Sequence, residues 1–336
     1  MPCGTHGPIM TLQDFATRDI AFILPTLNEE AHIGGVLDTV REHAGHGFSF
    51  EVIVVDNGSS DRTVEIAVEK GAICLRAPGC TISSLRNLGA SRAGAGVLIF
   101  LDADVYLGQG WGERIGAVIA RLHLEPDIIT GSLYGISDES NWIERIWFAP
   151  RTTRTQINYI NGGHLIIHRS LFSTVGGFDP KLETGEDCEF CARARTMGAR
   201  IENDPGLRVV HAGYPKSVKR FFARERWHGR GDYRSVKTLA SSKPALLSLA
   251  NLCMAVTCTI GIVSCPQPWW AFAGAYVLFL ACVSLAAAIH RYRGKLSSGF
   301  LGAVFLYMVY ITARTVSMVD VVIQSLTVRR PVRASG

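Results

Sequence analysis

Several stretches of this 336-residue chain set hydrogen-bonding or ionisable side chains directly after an apolar run. The clearest is Val97–Val105, Val-Leu-Ile-Phe-Leu-Asp-Ala-Asp-Val. Its unbroken, branched part reads as a strand buried on both faces, and it closes on Asp102 and Asp104. Side chains two apart in extended chain point the same way. Two carboxylates on one side suit a hard divalent cation such as Mg²⁺, which usually takes one or two carboxylates plus substrate phosphates. The plain alternative is a turn, where Asp is common. Pro25-Thr26-Leu27-Asn28-Glu29-Glu30 follows the apolar run Ile20–Leu24, and Asp56-Asn57-Gly58-Ser59-Ser60-Asp61 follows Glu51–Val55. Glu186 and Asp187 stand before a helical stretch, where one could act as a general base or both could simply favour the helix N-terminus. Val209-Val210-His211 ends a further apolar run in a histidine.

The elements that would position these residues alternate. Strands are expected at Ile20–Leu24 (stopped by Pro25), Glu51–Val55, Ala72–Arg76 and Val97–Leu101. Helices are expected from about Thr26 or Asn28, either a plausible cap, to His43, at Arg62–Lys70 and at Ser83–Ala93, the last carrying Arg86 and Asn87. Alternation of this kind predicts a mainly parallel sheet with helices on both faces. The polar groups then converge on one sheet edge, where α/β proteins bind ligands. Beyond it, a helix at Trp111–Leu122, a strand at Asp127–Leu133, an irregular stretch Gly135–Asn158 and a strand at Ile160–His168 opening on Asn161-Gly162-Gly163 are expected. Gly176-Gly177-Phe178-Asp179 reads as a turn, and Cys188–Met197 as a helix.

Charge is unevenly spread. The formal net charge is +5, yet from Arg291 onward there are seven Lys/Arg and one acid, Asp320. Between Lys216 and Lys243 there are nine Lys/Arg against Glu225 and Asp232. The first 200 or so residues are therefore acidic on balance, which argues against a nucleic-acid binder. Basic segments beside apolar ones fit a membrane. The nine cysteines are scattered and odd in number, so they form no disulfide framework. Cys188-x-x-Cys191 has no second pair at zinc-like spacing and reads as two helical cysteines a turn apart.

Lys216–Lys237 is expected as a basic helix with Phe221, Phe222 and Trp227 among its charges, the pattern of a helix lying on a membrane. Ala245–Cys265 and Trp269–Ile289 are each 21 residues without a charge, long enough to span. Pro266-Gln267-Pro268 separates them. The loop Arg291-Tyr292-Arg293-Gly294-Lys295 places itself, and the domain before the first span, on the cytosolic side. Phe300–Ala313 is shorter and is followed by Arg314 and Asp320. It is either a third span with those two as a polar couple or an interfacial segment. The expected organisation is a tail over 1–18, a domain over 19–215, an interface helix over 216–243, a membrane region over 244–326 (spans about 245–265 and 269–289, with a third span or an interfacial segment over 300–323) and a basic tail over 327–336.

In this order, Pro-Thr-Leu-Asn-Glu, Val-Asp-Asn-Gly-Ser-Ser-Asp, Asp-Ala-Asp and Gly-Gly-Phe-Asp with Glu-Asp, the chain resembles family 2 glycosyltransferases of the GT-A fold over about residues 20–230. The resemblance implies an α/β, mixed but mainly parallel sheet with flanking helices. It implies a nucleotide-sugar donor held by Pro25, Thr26, Asn28, Glu29, Asp56 and Asp61, with Asp102 on the ribose and Arg86 counted with them. It implies Mg²⁺ or Mn²⁺ at Asp104 and His211, and Asp187 as base with Glu186 beside it. Gly162, Gly163, Arg226 and Trp227 fall on the acceptor side. Where processive synthases carry Gln/Arg-x-x-Arg-Trp, Ala223 holds the first place before Arg226-Trp227, which favours transfer of one sugar over polymer export. The expected enzyme is an inverting transferase, multi-pass in the plasma (inner) membrane with its catalytic domain cytosolic. Its acceptor would be lipid-linked, a polyprenyl-phosphate-linked sugar in polysaccharide or glycolipid synthesis. The rivals are a sugar nucleotidyltransferase, which would carry a glycine-rich basic loop near its N-terminus, and a non-catalytic membrane scaffold.

Overall fold

The computed structural model describes residues 19–44, 47–149, 157–233, 239–240, 242–265, 267–292 and 298–328. The expected tail over 1–18, residues 329–336 of the basic tail expected over 327–336, part of the irregular stretch and residues 293–295 of the loop expected over Arg291–Lys295 lie outside these residues. The chain forms two compact units: residues to Glu139 together with Ala149–Tyr214, and Ser140–Phe148 together with Pro215 onward.

The first unit is built on a seven-stranded sheet of order β3-β2-β1-β4-β7-β6-β8. Its strands are β1 (Ile20–Thr26), β2 (Phe50–Asp56), β3 (Ile73–Arg76), β4 (Val97–Leu101), β6 (Ile128–Gly131), β7 (His164–His168) and β8 (Arg200–Ile201). β1 pairs in parallel with β2 and β4, and β2 with β3. β7 runs antiparallel to β4 and β6, so the sheet is mixed. A separate ribbon joins β5 (Val105–Leu107) to β9 (Val209–His211) in antiparallel register, with Val105 opposite His211. β1 shows why the parallel strands lack polar alternation. Ile20, Phe22 and Leu24 enter one apolar cluster with α1 (Ile33–Ala44) and α4 (Trp111–Leu124). Ala21 and Ile23 enter the opposite cluster, which also takes residues of α3 (Ile82–Arg92), α6 (Arg169–Val175) and α7 (Glu186–Thr196). A short helix, α2 (Thr63–Glu69), precedes β3.

The structure moves several expected boundaries. β1 runs through Pro25 to Thr26, because β4 pairs with it only as far as Ile23 and no hydrogen bond to that neighbour is lost at the proline. Neither Thr26 nor Asn28 caps α1: Thr26 is a buried strand residue, and Asn28 has φ 56° and accepts from the Ser60 amide. The strand expected over Asp127–Leu133 is confined to Ile128–Gly131. Asn161-Gly162-Gly163 forms a turn before β7 rather than its start, closed by the His164 amide on the Asn161 carbonyl at 3.0 Å.

In the second unit, α5 (Trp142–Trp147) is capped by Asn141 and Glu144 in a reciprocal capping box. α8 (Val218–Gly229) is capped by Ser217 and gives way to a 3-10 turn, Arg230–Tyr233, so the expected single helix to Lys237 is shorter. Three long apolar helices follow: α9 (Lys243–Ser264), α10 (Trp269–Tyr292) and α11 (Phe300–Val328). Each is long and apolar enough to cross a membrane. α11 runs well past Ala313. Arg314 and Asp320 do not pair with each other: Arg314 pairs with Glu225 and Asp232, and Asp320 with Arg226.

Candidate active site

The site is assembled where β1, β2 and β4 end. The two loops after β1 and β2 are stitched to each other. Asp56, fully buried, accepts the Gly58 and Ser59 amides at 3.0 and 3.1 Å, shaping its own turn. The Arg76 Nε lies 3.6 Å from its Oδ2. Asn28 accepts from Ser60 N at 2.9 Å, while its own amide donates to Ser59 Oγ at 2.9 Å. Asp61 accepts the Glu30 amide at 3.1 Å, and Thr63 Oγ1 takes the Glu29 amide at 2.7 Å. Pro25, Thr26, Asn28, Glu29, Asp56 and Asp61 are thus brought to one rim.

The centre is organised by Arg86. It projects from α3, is 2 % exposed, and donates through Nη2 to Asp102 Oδ1 at 2.7 Å and through Nη1 to Glu186 Oε1 at 2.6 Å. One guanidinium therefore ties the end of β4 to the first turn of α7, two places far apart in sequence. Its planar fork suits two carboxylates at once. Tyr134 donates to the other Asp102 oxygen at 3.3 Å. Asp187, next along α7, accepts the Gly162 amide at 3.3 Å and the Cys188 amide at 2.7 Å. Burial, and next the Glu186 charge, raise its pKa to about 6.

The turn at Gly162-Gly163 fits this cluster because it lacks side chains. A Cβ on Gly163 would lie 2.0 Å from Asp102 Oδ2 and 2.2 Å from the Tyr134 hydroxyl, and one on Gly162 would lie 2.6 Å from Arg86 Nη1. These are overlaps, so a larger residue would displace the Arg86–Asp102 pair.

Asp104 lies at the mouth of the β5–β9 ribbon, its Oδ2 3.6 Å from His211 Nε2. The ribbon register of Val105 on His211 sets this approach. Tyr214 stacks on the His211 ring at 4.3 Å between centroids, and Tyr134 packs on it at 5.0 Å. Burial pushes the Asp104 carboxyl up. Glu29 is pushed up to about 7, by burial first and then by Asp104, Asp102 and Asp61. Acids that repel one another in this way are a place where a cation gains. Among the described residues no three His, Cys, Asp or Glu groups converge as a metal cage. Asp104 with His211 therefore offers two protein ligands, which fits a Mg²⁺- or Mn²⁺-type ion completed by phosphate oxygens and water.

Sequence reasoning missed Tyr134 at Asp102, and the His32–Tyr106 pair, whose Nδ1 and hydroxyl lie 3.2 Å apart on the Asp104 side of the site. None of these three carries a spacing signal; each is placed by the ribbon and α1. Arg226 and Trp227 belong to the second unit, where Arg226 is bound by Asp320 at 2.6 and 2.9 Å and Trp227 is exposed. Cys188 and Cys191 sit a turn apart on α7, the first exposed and the second buried, both reduced.

Residues 21–175 match the family model for Glycosyl transferase family 2. This stretch is a family 2 glycosyltransferase domain. The Pre-mycofactocin glycosyltransferase of Mycobacterium tuberculosis is 24% identical to this chain over 230 residues, 63% of this chain and 46% of that protein. The chain thus spans about half the length of that relative. A PGL/p-HBAD biosynthesis glycosyltransferase of Mycobacterium bovis is 27% identical over 207 residues, 58% of this chain and 75% of the relative. Among solved structures, the mannosyltransferase PcManGT of Pyrobaculum calidifontis, in complex with GDP-Man and Mn²⁺, aligns with a TM-score of 0.57 at 18% identity. It covers 90% of this chain and 87% of its own, and it supports the GT-A fold.

Proposed function

We propose that this glycosyltransferase moves one sugar from a nucleotide-diphosphate donor to a hydroxyl of a membrane-associated acceptor, with inversion at the anomeric carbon. The observation that carries the reading is the Arg86 fork. It holds Asp102, on the donor side, and Glu186, beside Asp187, in one cluster. The stitched loops at Asn28, Glu29, Asp56 and Asp61 offer a polar rim for base and ribose. Asp187 faces the Gly162 turn and receives the acceptor's proton. The acceptor oxygen bonds to the anomeric carbon as the bond from that carbon to the diphosphate oxygen breaks. The electron pair leaves with the nucleoside diphosphate, and the proton ends on Asp187. Its pKa of about 6 leaves it ionised at neutral pH yet basic enough to take that proton. A divalent cation, Mg²⁺ or Mn²⁺, held by Asp104 and His211 would neutralise charge on the departing diphosphate.

The acceptor we favour is a polyprenyl-phosphate-linked sugar, because three apolar helices follow the domain. We set the catalytic domain on the cytosolic face of the plasma (inner) membrane, a reading supported by the basic segments around those helices. PcManGT was captured with GDP-Man and Mn²⁺, which supports a sugar nucleotide and a divalent ion without fixing either here. The test is calorimetric binding of nucleoside diphosphates to the detergent-solubilised full chain, with and without Mn²⁺. The wild type should bind at least one diphosphate more tightly with Mn²⁺, and Asp104→Ala should lose that increment. An unchanged increment in Asp104→Ala would remove Asp104 as metal ligand.

A further inference from the structure

By length and composition α11 resembles a third span, although it is less apolar than α9 and α10. Within the second unit it packs on α9, where Asn251 donates to Thr315 at 3.0 Å, and also on segments of another kind. Gly302 and Phe305 lie against Ile146 and Trp142 of α5. Tyr307 and Tyr310 pack on Trp147, which also packs on Phe221 of α8. Arg314 bonds Glu225 of α8 at 3.0 Å and Asp232 of the 3-10 turn at 2.8 Å. Ser317 abuts Gly229, and Asp320 binds Arg226. From 302 to 320, about 27 Å of helix at 1.5 Å per residue, α11 is lined by α5, α8 and the turn after it.

One lining segment is confined to one side of a membrane by chain connectivity and the other by its charges. Ser140–Phe148 leaves the catalytic unit at Glu139 and returns to it at Ala149. So short a segment reaches at most about 30 Å fully extended, too little to enter a bilayer core about 30 Å thick, cross it and come back. α8 begins just after Tyr214, the last residue of the same unit. If α11 crossed, α8 would go into the hydrocarbon beside it with Lys219, Arg220 and Arg226 exposed. Charged side chains at the bilayer centre are strongly disfavoured. The stretch Ala245–Ile289, by contrast, has no charged residue.

We infer that α11 lies in the membrane–water interface beside α8, on the catalytic side, and that only the α9–α10 hairpin crosses. The exposed side chains of α11 agree. At 3.6 residues per turn, Leu301, Val322 and Ile323 fall within roughly 100° of one another, opposite Tyr310, Arg314 and Ser317. Those residues, near the two ends of α11, meet the acyl boundary of the bilayer, while its middle packs on α9 through Thr315 and the opposite face holds α8. Both ends of α11 then stay on one side. The basic residues Arg291, Arg329, Arg330 and Arg333 join the Lys216–Lys243 block there, as the positive-inside rule requires; a third span would split them.

The inference rests on reading α9 and α10 as a membrane hairpin, and the experiment separates the two. In sealed vesicles of either orientation, an impermeant maleimide is applied to full-length chains carrying Ser91→Cys or Ser325→Cys, and labelled sites are mapped by mass spectrometry. Ser91 lies on the catalytic unit and Cys265 at the far end of α9; both positions and Ser325 are exposed. Labelling of Ser325→Cys from the Ser91→Cys side, with Cys265 labelled only from the other, is the expected result. Ser325→Cys labelled together with Cys265 would show that α11 crosses and overturn the inference. Cys265 labelled from the Ser91→Cys side would instead overturn the hairpin itself, and the inference with it.

Discussion

Arg86→Met removes the cation that two carboxylates share while keeping an apolar stem of similar length. Arg86 and Glu186 have side chains 2 % and 9 % exposed, and that of Asp102 is 26 % exposed. Breaking a buried pair by removing one partner leaves uncompensated charge and costs about 3–5 kcal/mol. For a domain of this size each kcal/mol lowers the melting temperature by about 2–4 °C. The catalytic unit should therefore melt about 6–20 °C lower, read by thermal unfolding followed through an intrinsic probe in detergent. Adding Glu186→Gln should recover part of the loss, because one of the two stranded charges is then gone. Arg86→Lys should fall between, since one ammonium lacks the fork that reaches both acids. A fall of less than about 2 °C for Arg86→Met would refute the idea that this guanidinium organises the site.

Two further outcomes follow from the same geometry. In Gly213→Ala, the new Cβ would sit 1.8 Å from Asp104 Oδ2; Mn²⁺-dependent donor affinity should drop about 10–100-fold, the range for disturbed ligand support, while Mn²⁺-independent binding changes little by calorimetry. The pH–rate profile should lose about tenfold per unit below about pH 6, because Asp187 acts ionised and burial with the Glu186 charge has raised its pKa to that value; a flat profile down to pH 5 would exclude Asp187 as the titrating base.

Much of the first unit was legible because its strands are buried on both faces. Ile20–Leu24 and Val97–Leu101 announce themselves as unbroken apolar runs, and the acids at their ends fall at the sheet edge. The pairing of Asp104 with His211 was harder to read, since it depends on the β5–β9 ribbon, whose strands of three residues carry no periodic signal. Arg86 stood out as a helical residue, but nothing in its spacing told that it would bridge positions 102 and 186. Asn28 was misread as a cap because a short polar side chain serves equally in a loop with positive φ. The second unit was legible in its apolar runs and illegible in its ion pairs: Arg314 and Asp320 looked like partners six residues apart, yet each is claimed by a residue of α8.

The most direct test of the account is made on one sample of Asp187→Asn, by measuring donor affinity and single-turnover transfer together. Asn keeps the shape that meets the Gly162 and Cys188 amides but cannot take the acceptor's proton. A well-placed base contributes about 10²–10⁴ in rate. The account predicts a loss of that order in transfer with donor affinity near wild type. Near-normal turnover, with at most the stability loss of about 0.3–1 kcal/mol expected for an acid at a helix N-terminus, would contradict it.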